Sequence, residues 1–240
     1  MNGPGSIPGS EAEAPTLVRR YVERVLPPGG RLPRRVRIRQ TGQMWRKPGG
    51  RRLPFTSVEE FAVEEVAFSW RARFPVLPLV SMRVLDGYAG GEGRLEARLF
   101  GVPFIRVGGP ETAEGEAIRY LSELPWVPHA MVANRALDWT GVDARAVEVA
   151  TKVGSRRVAV RLEFDETGHI VGASAERPRT EGRSIVRRPW SGTFSEYAVV
   201  GGVRIPTLGE VRWELPDGPF TYWRGTITSL ELGFEEVASS

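Results

Sequence analysis

The chain contains no cysteine and only two histidines among its 240 residues. The lack of cysteine excludes disulfide bonds, thiolate nucleophiles and cysteine-ligated zinc sites. The histidines, His129 and His169, form neither a His-x-x-x-His pattern nor a helical Glu-x-x-His pattern, either of which would suggest a metal site. The Gly-x-Ser-x-Gly motif of many serine hydrolases is also missing. We therefore expect no catalytic residues, no bound metal and no cofactor.

Long apolar runs and lysines are scarce as well. No apolar run approaches the roughly 18 residues of a membrane-spanning helix, and the first residues lack the charged-then-apolar pattern of a secretory signal. We therefore expect a cytoplasmic protein without stable membrane insertion. Lys47 and Lys152 are the only lysines, so nearly all of the positive charge behind the net +4 is arginine. A charge this small, spread along the chain, does not indicate a nucleic-acid binder.

The organisation of the chain follows from its periodicity. Residues 1–15 are rich in Gly, Pro, Ser, Ala and Glu, which predicts a flexible tail. We expect residues 16–240 to form one domain. Apolar residues at helical spacing predict a helix over residues 16–26 and another over 112–125. Most of the rest alternates apolar and polar residues between Gly, Pro and Asp turns, which is typical of antiparallel hairpins.

The first predicted strand carries a row of arginines. Arg35, Arg37 and Arg39 share one face of the strand, and Val36 and Ile38 share the other. The arginines could form a phosphate-binding ribbon, or they could be the solvated outer face of the sheet, their stems covering apolar neighbours. Since alternation already explains every arginine, we expect them to face solvent on the convex side, without a role in nucleic-acid binding.

The seven tryptophans and the dense hairpins of the last third indicate the fold class. We predict a mainly β (α+β) protein with a single, strongly curved antiparallel sheet of the half-barrel type and a few covering helices. Core packing is the usual role of a tryptophan. Aromatic residues on the concave face of a curved sheet also form a natural site for an apolar ligand. The two roles can hold for different tryptophans.

A ligand cavity is predicted between the sheet and the helical segment 112–132, suited to an acyl or isoprenoid chain. Tyr222 and Trp223 are adjacent in a strand, so we expect them on opposite faces, with one of them facing the interior. The loop 126–131 is expected at the mouth, where His129 or Arg224 would meet a polar head group. The predicted ligand-binding residues are Trp126, His129, Met131, Trp190, Trp213, Tyr222, Trp223 and Arg224.

The sequence therefore favours a non-catalytic binding protein whose partner is a hydrophobic small molecule or lipid, and it leaves the oligomeric state open. Two other functions stay open. One is a hydrolase-like enzyme that uses His129 with a serine or an acidic partner. The other is a carbohydrate- or cell-wall-binding module that uses exposed tryptophans as a planar surface.

Several segments resemble known families. Residues 164–170 (FDETGHI), 201–206 (GGVRIP) and 227–232 (ITSLEL) are similar to the closing half of bacterial lipoprotein-carrier and lipoprotein-sorting proteins. That resemblance implies an open antiparallel half-barrel with helices over its mouth, and binding of acyl chains. From about Arg20 onward the chain more closely resembles a bacterial family of unknown function, for example at 90–95 (GGEGRL) and 220–225 (FTYWRG). That second resemblance implies no known activity.

Overall fold

The structure is a computed structural model, and it describes residues 15–234. The tail predicted for residues 1–15 lies outside this range apart from Pro15. The helices are α1 (Thr16–Val25), α2 (Pro110–Ser122) and α3 (Ala130–Ala133), with a 3-10 turn at Leu124–Trp126. The strands are β1 (Arg35–Trp45), β2 (Arg52–Ala62), β3 (Phe68–Leu77), β4 (Val80–Ala89), β5 (Glu92–Leu99), β6 (Val102–Gly108), β7 (Asp138–Asp143), β8 (Ala146–Val153), β9 (Arg156–Phe164), β10 (Ile170–Glu181), β11 (Ser184–Val200), β12 (Val203–Leu215) and β13 (Gly218–Gly233).

All thirteen strands form one antiparallel sheet. Its order is β6-β5-β4-β3-β2-β1-β13-β12-β11-β10-β9-β8-β7, so two meanders meet where β1 pairs with β13. Within residues 15–234 the edge strands β6 and β7 do not pair with each other, and the sheet stays open. The prediction of a mainly β protein with a single curved antiparallel sheet of the half-barrel type is confirmed.

The position of α2 shows how strongly the sheet bends. This helix packs against β4, β5 and β6 near one end of the strand order and against β8, β9 and β10 near the other. A flat sheet could not bring both ends to one helix. The approach to β5 is so close that a Cβ on Gly93 would lie 2.7 Å from the backbone of Thr112 and Ala113. Glycine at this position therefore lets the helix lie against the concave face, where the prediction placed it.

Alternation along β1 follows the sequence pattern. Val36, Ile38 and Gln40 are buried, whereas Arg35, Arg37 and Arg39 are exposed. The prediction that these arginines face solvent is confirmed. Two of them form ion pairs on this outer face: Arg37 contacts Glu60 at 2.6 Å and Glu231 at 3.8 Å, and Arg39 contacts Glu231 at 3.7 Å.

Two of the β-bulges in the sheet, on β13 and β6, change the alternation of side chains on the concave face. On β13, Trp223 pairs with Val211 and Thr221 pairs with Arg212, so Tyr222 is an extra residue. On β6, Ile105 pairs with Ala97 and Pro103 with Arg98, so Phe104 is extra in the same way. A bulge interrupts strict alternation and re-aims side chains. The prediction that Tyr222 and Trp223 take opposite faces is therefore wrong, because both line the concave cavity described below.

Candidate functional site

A cavity of about 650 Å³ lies between α2 and the concave face of the sheet. Its walls come from β1 to β6 on one side and from β10 to β13 on the other. Much of the lining is apolar, for example Val84 on β4 and Leu95 on β5. Phe104, Ile105 and Ile185 line the cavity and are also exposed, so they mark its apolar mouth. A cavity of this size is within the usual range of small-molecule sites, roughly 300–1,000 Å³.

Four of the eight predicted ligand-binding residues line this cavity: Trp190, Trp213, Tyr222 and Trp223. They come from three neighbouring strands, β11, β12 and β13, in which Trp190 pairs with Trp213. Trp213 stacks on Tyr222 with ring centroids 6.1 Å apart, and the Trp190 indole donates a hydrogen bond of 3.0 Å to the Tyr222 hydroxyl. These contacts form a continuous aromatic wall on the side opposite to β4 and β5.

The loop 126–131, which was predicted at the mouth of the cavity, is instead buried in the core. Trp126 is 2% exposed, packs edge-on against Phe194 and donates a hydrogen bond of 3.0 Å to the carbonyl of Pro206. Gly209 makes room for it, because a Cβ there would lie 2.9 Å from the Trp126 ring. Residues 124–131 are almost all apolar, and they fill the space between the sheet and α1. The placement of this loop at the mouth was therefore wrong.

His129, Met131 and Arg224 also lie away from the cavity lining. His129 and Met131 are buried, and Nδ1 of His129 has no hydrogen-bond partner among residues 15–234. Burial lowers the pKa of His129 to about 4. A buried imidazole outside the cavity, with no partner at Nδ1, does not support the hydrolase alternative. Arg224 is exposed on the outer side of β13, where it pairs with Glu210 at 3.2 Å.

The tryptophans do not offer a planar binding surface. Trp70, Trp126, Trp190 and Trp223 are buried, and the other three (Trp45, Trp139 and Trp213) are partly buried. A carbohydrate platform needs the face of an aromatic ring open to solvent. The carbohydrate alternative therefore has no support in the geometry of these side chains.

The helix α2 turns a polar side toward the cavity, which the sequence analysis missed. The residues on this side are Glu111, Thr112, Gly115, Glu116, Arg119 and Glu123 just after the helix. Their spacing of about one helical turn was visible in the sequence. Polar residues at this spacing are also typical of the solvent face of an ordinary amphipathic helix. The sequence alone does not show that the sheet curves around both sides of α2, which turns this face toward the cavity.

Arg119 is the central ion of this polar side. Its guanidinium contacts Glu59 at 2.7 Å, Asp86 at 2.8 Å and Glu123 at 2.9 Å. It also lies over the rings of Phe68 and Trp70, 4.9 and 5.2 Å from their centroids. Arg119 thus ties α2 to β2 and β4 through buried charges.

The polar side continues to β10 through Arg177. This guanidinium lies over the Trp190 ring, donates to the Tyr222 hydroxyl at 3.4 Å and pairs with Glu116 at 3.4 Å. Asp86, Glu116 and Glu123, which we name the carboxylate cluster, all line the cavity. Each has one oxygen without a hydrogen-bond partner among the described residues, namely Asp86 Oδ1, Glu116 Oε2 and Glu123 Oε2.

Burial raises the pKa of three acids in this network, namely Glu59, Glu116 and Glu123. Burial and the nearby charge of Asp86 raise the pKa of Glu116 to about 8. Burial likewise raises the pKa of Glu59 and of Glu123, although the positive charge of Arg119 opposes both shifts. At neutral pH Glu116 therefore holds a proton, which a ligand of the right charge could replace.

Neither a metal site nor a membrane-spanning helix is found in the part of the chain that the structure describes. Over residues 15–234 there is no group of three or more His, Cys, Asp or Glu arranged to hold a metal ion. In the same residues no helix has the length and apolar character needed to cross a membrane.

Residues 9–225 match the model of a family of unknown function (DUF6544), and the chain belongs to this family. The resemblance to a family of unknown function is thereby confirmed. No curated protein is significantly similar to the chain in sequence.

Two solved structures are similar in fold. One is a DUF1329 family protein from Desulfovibrio piger, 12% identical, with a TM-score of 0.51 over 93% of this chain and 92% of that one. The other is a LolA superfamily protein from Nitrosomonas europaea, 11% identical, with a TM-score of 0.49 over 92% of this chain and 94% of that one. At such low identity the first likeness shows a shared fold and nothing about activity.

Proposed function

We propose that this protein is a non-catalytic binding protein for a hydrophobic ligand with an acyl- or isoprenoid-like chain. The observation that carries the proposal is the cavity of about 650 Å³ under α2, with an apolar wall, an aromatic wall and an open apolar mouth. The residues of an apolar cavity wall lack some of the side-chain contacts that a packed core provides. A chain-like ligand would restore those contacts on both walls.

The division of the concave space supports the same proposal. On the side of α1, α3 and the 3-10 turn, Trp126 and its neighbours pack in the core. On the other side α2 covers the sheet without filling it. Of the residues predicted to bind, we assign Trp190, Trp213, Tyr222 and Trp223 to the proposed site, and we leave out Trp126, His129, Met131 and Arg224, which do not line the cavity.

The test blocks the cavity with a larger side chain. Val84 is part of the apolar wall, so Val84→Trp should abolish the binding of dodecanol. Binding is measured by the change in tryptophan fluorescence and by native mass spectrometry. Val199→Trp is the matched control, because Val199 is 62% exposed and does not line the cavity. Unchanged dodecanol binding by Val84→Trp, with both variants folded by circular dichroism, would reject the proposal. The cytoplasmic location expected from the sequence stays a prediction, which cell fractionation and immunoblotting would check.

A further inference from the structure

The two ends of the cavity differ in chemistry. Phe104, Ile105 and Ile185 make the exposed mouth apolar, whereas the carboxylate cluster lies at the covered end, beneath α2. The side chain of Glu123 is 13% exposed and that of Asp86 is 14% exposed. A ligand that enters through the mouth therefore meets apolar surface first and acidic oxygens last.

Glu116 is the member of the carboxylate cluster whose oxygens are the least satisfied by neighbouring side chains. The residue is 7% exposed, and within residues 15–234 its only ion pair joins Oε1 to Arg177 at the long distance of 3.4 Å. The other oxygen, Oε2, is buried without a hydrogen-bond partner among residues 15–234, although the side chain lines the cavity. Buried acceptors are nearly always paired in proteins. A donor supplied by a ligand would satisfy this oxygen.

The balance of charge indicates the sign of that ligand. The network holds four carboxylates, on Glu59, Asp86, Glu116 and Glu123, and two guanidiniums, on Arg119 and Arg177. Arg119 already has three carboxylate partners, and Arg177 is shared between Glu116, Tyr222 and the Trp190 ring. Arg46, Glu111 and Arg179 also line the cavity, but Arg46 is exposed, and Arg179 pairs with Glu181 at 3.4 Å and lies over the Trp213 ring. At the carboxylate cluster itself, an anionic head group would find acidic oxygens in excess and guanidiniums that are already engaged. A cationic head group would find free acceptors.

We propose, on the basis of the proposed function, that the ligand carries a primary ammonium or a similar N–H-bearing cationic head group. This head group binds the carboxylate cluster through Glu116, and the hydrocarbon chain runs along the apolar wall toward the mouth. The inference names the class of ligand that the cavity accepts, and it disfavours a free fatty acid.

The proposed contact has a proton-linked signature. The charged groups that face Glu116 are Asp86 on β4, Arg177 on β10, and Arg119 and Glu123 from the α2 segment. Strands β5 and β6 face the cavity with apolar residues and Gly108 only, while Arg156 and Arg187 pair with Glu114, which does not line the cavity. Because Glu116 holds a proton at pH 7, a bound ammonium should displace it.

The experiment compares three probes with the same chain: dodecylamine, dodecanol and sodium dodecanoate. Affinities are measured at pH 7 by tryptophan fluorescence, below the concentrations at which the probes form micelles. We expect dodecylamine to bind about ten- to a hundredfold more tightly than dodecanol, the size of a charge-assisted hydrogen bond, and dodecanoate to bind most weakly. Calorimetry in two buffers of different ionisation enthalpy should show proton release with dodecylamine and none with dodecanol.

Two variants locate the preference. Glu116→Gln should lose the preference for dodecylamine and its proton release while it keeps dodecanol binding. Glu114→Gln is the matched control, a buried glutamate on the same helix that does not line the cavity, and it should keep the preference. Dodecanol binding at least as tight as that of dodecylamine, or a preference that survives Glu116→Gln, would overturn this inference and leave the proposed function intact. Failure of all three probes to bind would count against the proposed function itself.

Discussion

Replacing Arg119 by methionine should destabilise the protein strongly. The substitution keeps an unbranched side chain over Phe68 and Trp70 but removes the one group that contacts three buried carboxylates, at 2.7, 2.8 and 2.9 Å. Removing one partner of a buried ion pair costs about 3–5 kcal/mol, because the remaining charge stays buried without compensation. We therefore expect the free energy of unfolding of Arg119→Met, measured by urea denaturation with tryptophan fluorescence, to fall by about that amount at pH 7.

The control is Arg37→Met. Arg37 also pairs with a carboxylate at 2.6 Å, but its side chain is 45% exposed. An exposed pair contributes about 0–1 kcal/mol. The loss of stability caused by Arg119→Met should be smaller at pH 5 than at pH 8. Without the guanidinium, the buried carboxylates have a raised pKa in the folded protein, so the stability of the variant falls as pH rises. If Arg119→Met costs no more than Arg37→Met, or costs more at pH 5 than at pH 8, the account of a buried charged anchor is refuted.

Three further predictions concern single residues. The pKa of Glu116 is raised to about 8, so folding takes up a proton and the wild type loses stability as pH rises from about 4.5 to 8. Relative to the wild type, Glu116→Gln should gain about 1.4 kcal/mol per pH unit over this range in urea denaturation, and parallel curves would contradict this. The pKa of His129 is lowered to about 4, so the protein loses stability as pH falls below about 6.5. His129→Leu should reduce this loss of stability between pH 6.5 and 4.5. Dodecanol binding should stay unchanged. Gly93→Ala places a Cβ 2.7 Å from the backbone of α2, and we expect it to lower the free energy of unfolding by about 1–3 kcal/mol. Gly108→Ala, whose Cβ would have no neighbour closer than 3.6 Å, should lower it less. Thermal melts of the two variants would compare these losses.

The sequence predicted those parts of the fold that local periodicity determines. Alternation placed Arg37 outside and Ile38 inside on β1, and helical spacing found α2 within a few residues of its ends. The error at Tyr222 and Trp223 has a physical cause. A bulge depends on the register with the partner strand β12, and nothing within the strand itself distinguishes the extra residue.

The site was harder to predict because an apolar residue in a core and one in a cavity wall have the same chemistry. Trp126 and Trp190 are both buried aromatic residues, yet Trp126 packs in the core and Trp190 lines the cavity. Only the path of α2 across the sheet separates these two roles. The same path buries Glu116, whose position on α2 does not by itself distinguish a face toward a cavity from a face toward solvent.

The bulges on β6 and β13 allow the cavity wall to change in evolution without a change in strand pairing. Each bulge adds an inward side chain to the wall, Phe104 on β6 and Tyr222 on β13, while the number of strands stays the same. Elsewhere in a paired strand, one inserted residue would turn every side chain beyond it to the opposite face. A bulge confines that change to its own position. Insertion or deletion of single residues at these two points can therefore alter the size of the cavity among members of the family while the rest of the half-barrel keeps its pairing.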